Sequence, residues 1–121
     1  MSHKDLDVWQ QAIELSKTVY SLTGSFPKEE LFGLSSQMRR AAVSIASNIA
    51  EGAARHGDRE FLKFLHVSAG SASELDTQLE IAKGIKVGDN AQINAVQDSL
   101  EAVSKMLQGL IRSVKQRSTE H

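Results

Sequence analysis

The sequence predicts an all-α fold, an antiparallel up-down four-helix bundle, on three observations. Most glycines fall at candidate element ends (Gly24, Gly33, Gly52, Gly57, Gly84 and Gly88), and the single proline, Pro27, lies between two of them. The segments between these breaks repeat apolar residues at helical spacing, and none alternates apolar and polar residues as a half-buried strand does. The 121 residues and 13.2 kDa provide one domain, residues 1–121. A chain of this length buries roughly two-thirds of the surface that its unfolded form exposes.

Helix 1 is expected at about Lys4–Thr23. At roughly 100° per residue, Val8, Ala12, Leu15, Val19 and Leu22 form one apolar seam and Leu6, Trp9, Ile13 and Tyr20 a second. The two seams cover about half the circumference, wider than the stripe of somewhat over ~100° that a monomeric bundle needs. A further packing partner accounts for the excess; so does a fold-back of the Phe26–Phe32 segment over one seam.

Helix 2, at about Leu34–Ala54, sorts into two faces. Leu34, Met38, Ala41, Ala42, Ile45, Ile49 and Gly52 point one way; Gln37, Arg40, Ser44, Ser47, Asn48, Glu51 and Arg55 point the other. Ser and Asn weaken an exposed helix where Lys, Glu or Gln would serve better, and their short side chains permit close approach. Two readings fit this polar face: a solvated surface with an i,i+4 Glu51–Arg55 pair, or an interface with another helix, a subunit or a ligand.

Helix 3, at about Asp58–Lys83, carries Phe61, Leu65, Ser68, Ala72, Leu75, Leu79 and Ala82 on one stripe, with Asp58 as its N-cap. Its middle, Ser68 to Ser73, is a run of small residues that includes poor helix formers. Close approach of a neighbouring backbone explains that run better than a ligand-binding loop. Helix 4, at about Asp89–Lys115, repeats Ile93, Val96, Leu100, Val103, Leu107, Leu110 and Val114 with three-then-four spacing, the period of helices packed near-parallel.

Cysteine is absent, which excludes disulfides, Cys-ligated zinc, iron–sulfur clusters and thiol catalysis and fits a reducing compartment. The charged N-terminus and the lack of any apolar stretch of ~18 residues lead us to expect a soluble, cytoplasmic protein with no membrane partner. Carboxylate-bridged di-metal bundles need Glu-x-x-His, yet Ala53, Lys63 and Ser118 precede His56, His66 and His121 by that interval. The glycines of GIKVGDN do not form a phosphate loop, and no nucleophile-elbow motif is present. The expectation is a non-enzyme with no metal and no organic cofactor.

Lys+Arg number 14 against 15 Asp+Glu, a net charge of −1, without the basic excess typical of nucleic-acid binders. Up-down topology gathers Lys4, Arg55, Arg59, Lys63, Arg112, Lys115 and Arg117 at one pole, but Asp5, Asp7, Glu51, Asp58, Glu60 and Glu120 accompany them. That pole is nearly neutral, so only oligomerisation would array Arg112, Lys115 and Arg117 into a larger basic surface for phosphates.

The segment FPKEELFGLSSQMRRAAVSIASNIAEG, residues 26–52, resembles the signature of the four helix bundle protein family, also called the 23S rRNA intervening-sequence protein family. DLDVWQQAIEL before it, and REFLKFLHVSAGSASELDTQLEIAK and KMLQGLIRSVK after it, also resemble family segments, so the similarity covers nearly the whole chain. Arg39, Arg40, Ala41, Ser44, Ile45, Asn48, Ile49, Ala50, Glu51 and Gly52 match the signature. The resemblance implies antiparallel four-helix bundles, pentameric barrels in some members, and genes lying within insertions of large-subunit rRNA. It also implies kinship with the accessory variability determinants of diversity-generating retroelements, which engage a reverse transcriptase and nucleic acid. Many members carry proline where this chain has Ala46, which implies a straighter helix 2. The retroelement proteins are markedly basic and this chain is not, which weighs against nucleic-acid binding.

These readings lead us to expect a non-enzymatic oligomeric scaffold or adaptor in an RNA- or DNA-associated process. The alternative is a direct nucleic-acid binder acting through Arg112, Lys115 and Arg117. Homo-oligomerisation, as a pentameric ring, is expected through Arg40, Ser44, Ser47, Asn48 and Glu51 on helix 2, with the second seam of helix 1 as the competing contact.

Overall fold

A computed structural model describes residues 2–119. Glu120 and His121, which entered the charge and metal readings above, lie outside the described residues. Within them the chain forms four α-helices and no strand: α1 Asp7–Gly24, α2 Leu34–Ala54, α3 Asp58–Gly84 and α4 Asn90–Thr119. Single 3-10 turns, His3–Asp5 and Lys28–Glu30, precede α1 and α2.

Local chemistry sets the helix ends. Lys4 belongs to the first 3-10 turn rather than to α1, because the Ser2 hydroxyl accepts the Lys4 N–H at 3.2 Å and closes a separate turn there. Asp89 stands just before α4 and caps it, its Oδ2 accepting the Gln92 N–H at 3.0 Å. The expected cap at Asp58 is corrected: Gly57 occupies that position at φ 89°, and Asp58 is the first residue of α3. The short reversal between α2 and α3 requires a left-handed residue, which glycine accepts without strain. Asp58 thereby moves into the first turn, where its carboxylate still favours the positive end of the helix dipole and reaches Arg117 of α4.

The core is aliphatic and draws on all four helices, with Leu15, Leu22, Met38, Ile45, Ile49, Leu65, Leu75, Leu79, Ile93 and Leu107 almost fully buried. The first seam of α1 is buried throughout; Leu6, Trp9 and Ile13 of the second are half-buried against the core, and Tyr20 is exposed. The Phe26–Phe32 segment does not fold back over that seam. Phe26 is buried against the α3–α4 turn, where its ring would lie 2.6 Å from a Cβ at Gly88, and Phe32 is 92 % exposed.

The α4 stripe departs from its expected register near the end. Ile111 is buried and Leu110 only half-buried, because an α-helix drifts from a strict seven-residue repeat and the seam shifts by one position over several turns. Leu110 instead reaches the pole of the bundle, where it lines a small cavity with Leu6 and Phe61.

α2 packs on α1 and α3, and α4 on α3 and α1. Contacts across the α2–α3 and α3–α4 seams run in opposite residue order. Ser44 meets Ser71 while Gly52 meets Phe61 and Phe64; Glu80 meets Gln97 while Asp58 meets Arg117. α2 runs helical through Ala46 without interruption.

Candidate functional site

The α2–α3 seam is where this chain's sequence is most particular. Gly52 lies inside α2, buried: a Cβ there would sit 2.8 Å from Phe64 Cβ and 3.2 Å from the Phe61 carbonyl oxygen. Ser68 is buried and its hydroxyl donates to the Ile45 carbonyl at 2.7 Å, while Ser44 and Ser71 share a hydrogen bond of 2.8 Å. Ser68 and Ser71, from the run of small residues in the middle of α3, therefore meet α2, whereas Gly70 and Ser73 are exposed.

The polar face of α2 divides. Ser44 and Asn48 are half-buried beside α3, with Asn48 Nδ2 donating to the Ser44 carbonyl at 2.8 Å and to its hydroxyl at 3.0 Å. Glu51 pairs with Arg55 at 2.7 Å. Arg40 and Ser47 are exposed, and Arg40 makes no ion pair with any described residue. Thus Ser44 and Asn48 are engaged within the chain, whereas Arg40 and Ser47 face outward.

Beside Arg40 an open groove of about 600 Å³ runs between α2 and α3, lined by Gln37, Arg40, Glu74, Thr77, Gln78 and Ile81. Gln78 is only 7 % exposed, and its Oε1 accepts no hydrogen bond. Val43 on α2, Val67 and Ile81 on α3, and Ile85 just past the end of α3 are exposed. Sequence reasoning did not single out Gln78. A glutamine one position before Leu79 reads as solvated, and its burial follows from the close approach of α2, which helical periodicity does not reveal.

Arg39 was noted only as a signature match, and its geometry is specific. Its Nε donates to Thr23 Oγ1 at 2.7 Å and its guanidinium carbon lies 4.9 Å from the centre of the Tyr20 ring, tying α2 to α1. Buried Thr23 in turn donates to the Val19 carbonyl at 2.8 Å. The Arg39 cation thus covers part of the second apolar seam of α1.

Of the charged residues expected at one pole, Arg55, Asp58 and Arg117 line a common cavity. The N-terminal turn, the α2–α3 reversal and the end of α4 surround a cavity of about 300 Å³ lined by His3, Arg55, Asp58, Phe61, Leu110 and Arg117 among others. Arg117 forks onto Asp58, Nε to Oδ2 at 3.1 Å and Nη2 to Oδ1 at 2.9 Å, and that hydrogen bond raises the Arg117 pKa further above its ordinary value. Arg112 and Lys115 are exposed and make no ion pair with a described residue. No group of three or more potential metal ligands converges among the described residues. No helix among them is long and apolar enough to cross a membrane.

A family model described as "23S rRNA-intervening sequence protein" matches residues 4–109, from the first 3-10 turn to Gly109 of α4. The chain belongs to this family. It is similar in fold to a crystal structure from Bacteroides thetaiotaomicron, described as a protein with unknown function from the S23 ribosomal protein family. The two superpose with a TM-score of 0.80 at 22 % identity, covering 87 % of this chain and 95 % of the other. No curated protein matches the chain.

Proposed function

We propose that this chain is a non-enzymatic scaffold or adaptor of the cytoplasm, acting as a homo-oligomer in an RNA- or DNA-associated process. Its antiparallel up-down bundles assemble side by side into a ring, a pentamer. The observation that carries this reading is the α2–α3 groove, where Ile81 is 48 % exposed beside Arg40, which makes no ion pair with a described residue. An exposed aliphatic side chain rimmed by polar groups on rigid helices fits an association surface. The opposite residue order of the seam contacts supports the antiparallel arrangement, and ring assembly in the resembling proteins supports closure. Arg40, Ser47 and Glu51 form the outer rim of the contact, with Ser44 and Asn48 at its base. Light scattering at high micromolar concentration should give a multiple of 13.2 kDa; a monomer under those conditions refutes the reading.

A second reading, direct nucleic-acid binding, rests on Arg112 and Lys115, which are exposed and unpaired. Arg117 adds less than a free cation because Asp58 neutralises it. Gel-shift titration at two salt concentrations separates the two readings. A binder loses affinity steeply as salt rises, whereas no shift at low salt leaves the scaffold.

A further inference from the structure

The groove beside Arg40 has three unmet requirements. Gln78 Oε1 is buried without a donor. Arg40 and Glu74, on opposite walls, each lack an ion-pair partner among the described residues. Ile81 is 48 % exposed at the groove's edge. An occupant that satisfies all of them presents an apolar side chain flanked by one cation and one carboxylate.

The chain carries that combination in the turn before α2. Phe32 is 92 % exposed, the most exposed of the large apolar side chains described, and Lys28 and Glu29 stand beside it, both exposed and without an ion-pair partner. The turn's shape is fixed: the Glu30 N–H donates to the Pro27 carbonyl at 2.9 Å and the Gly33 N–H to the Glu30 carbonyl at 3.1 Å. Phe32 is therefore held outward on a short, ordered segment, which limits the entropy lost on docking.

We propose that the α2–α3 groove of one copy receives the Phe32 turn of a second copy, a contact that rests on the oligomeric reading above and specifies its surface. Phe32 covers Ile81, Glu29 faces Arg40, and Lys28 supplies the cation for Glu74 and the donor for Gln78 Oε1. The contact is head-to-tail, since a knob on one copy enters a groove on the next, and such contacts form rings when the rotation closes. Knob and groove lie at the same end of the bundle, Phe32 just before α2 and Gln37 and Arg40 in its first two turns. A neighbour docked this way is shifted sideways with little rise, which favours a closed ring over a filament.

The absence of cysteine makes the test direct. Phe32→Cys and Ile81→Cys chains carrying tags of different mass are mixed under oxidising conditions, with Ser99→Cys on α4 replacing Ile81→Cys in the control. A disulfide-linked heterodimer should form with Ile81→Cys and not with Ser99→Cys; equal yields from both overturn the proposal. In parallel, Arg40→Glu should lower the assembly mass toward 13.2 kDa with circular dichroism unchanged, and Glu29→Lys in the same chain should restore it. A monomeric wild type refutes the oligomeric reading itself. An oligomeric wild type whose mass survives both Phe32→Glu and Arg40→Glu leaves that reading intact and refutes this contact.

Discussion

The two seams of α3 are built on different principles. Toward α2 the contact is one of close backbones: Gly52 against Phe61 and Phe64, Ser68 bonded to a carbonyl of the opposite helix, and Ser44 bonded to Ser71. Toward α4 it is one of volume, with Leu100, Val103 and Leu107 of α4 and Leu65, Ala72 and Leu75 of α3 buried in one aliphatic core. A volume seam tolerates exchange among aliphatic residues as long as space is filled. A close-backbone seam tolerates almost nothing larger than what is there, so its residue identities are fixed one by one.

The largest effect should come from emptying the volume seam. Leu107 is fully buried at the middle of the α4 stripe. Leu107→Ala should lower unfolding stability by about 2–5 kcal/mol, the range for a buried leucine that leaves a cavity. Leu107→Met should lose less than about 1.5 kcal/mol, because it conserves volume. Urea denaturation of both variants checks the contrast, and equal losses would mean that α4 packs with the same specificity as α2.

Overfilling the close seam is the next test. Gly52→Ala places a methyl 2.8 Å from Phe64 Cβ and 3.2 Å from a backbone oxygen that cannot rotate away. Overpacking costs about 1–3 kcal/mol, and the gain in helix propensity of about 1 kcal/mol offsets part of it. A net loss of about 1 kcal/mol is expected by urea denaturation. Gly70→Ala, where a Cβ meets nothing within 4 Å, should instead stabilise. If both changes stabilise, the α2–α3 approach is looser than its geometry indicates.

How far each seam was legible in the sequence follows from the same contrast. The stripes of α3 and α4 were readable because burial of aliphatic residues at helical period is a local signal. The close approach was readable in part: Ser68 and Ser71 of the small-residue run meet α2, but Gly70 in the same run meets nothing. What was not readable depended on partners distant in sequence. Ile111 replaced Leu110 in the core because of cumulative helical drift, and Asp58 left the cap position because Gly57 took the reversal. Arg39 found Thr23 and Tyr20 on α1, and Gln78 was buried by α2 rather than by any feature of α3. For the candidate interface, the sequence distinguished a short-chain polar face but not which of its members turn inward. Ser44 and Asn48 do, because they lie on the α3 side of α2, whereas Arg40 and Ser47 lie further round.

Removing a hydrogen bond from the close seam should have a smaller effect than changing its shape. Ser68→Ala deletes the bond to the Ile45 carbonyl but keeps a small side chain, and that carbonyl remains within the α2 helix. A loss of about 1 kcal/mol is expected for a single neutral hydrogen bond. Ser68→Val, which restores no bond and adds two methyl groups, should lose more. Equal stability of the two variants would mean that the hydroxyl, not the space, is what the seam requires.

The smallest effect belongs to the pole, where the bundle is closed by charge rather than by packing. Arg117 grips Asp58 with two hydrogen bonds, but its side chain is 51 % exposed, so water and salt screen the pair. Arg117→Ala should therefore lower stability by no more than about 0.2–1 kcal/mol. The loss should shrink further in 1 M salt, where the screening length falls to about 3 Å. The raised Arg117 pKa implies a pH dependence only in strong base: the contribution is complete below the ordinary arginine pKa and disappears as pH rises through the folded-state value. Between neutrality and pH 10 the wild type and Arg117→Ala should accordingly differ by a constant amount. A difference that changed across that range would mean that another titrating group, not the guanidinium, governs closure of the pole.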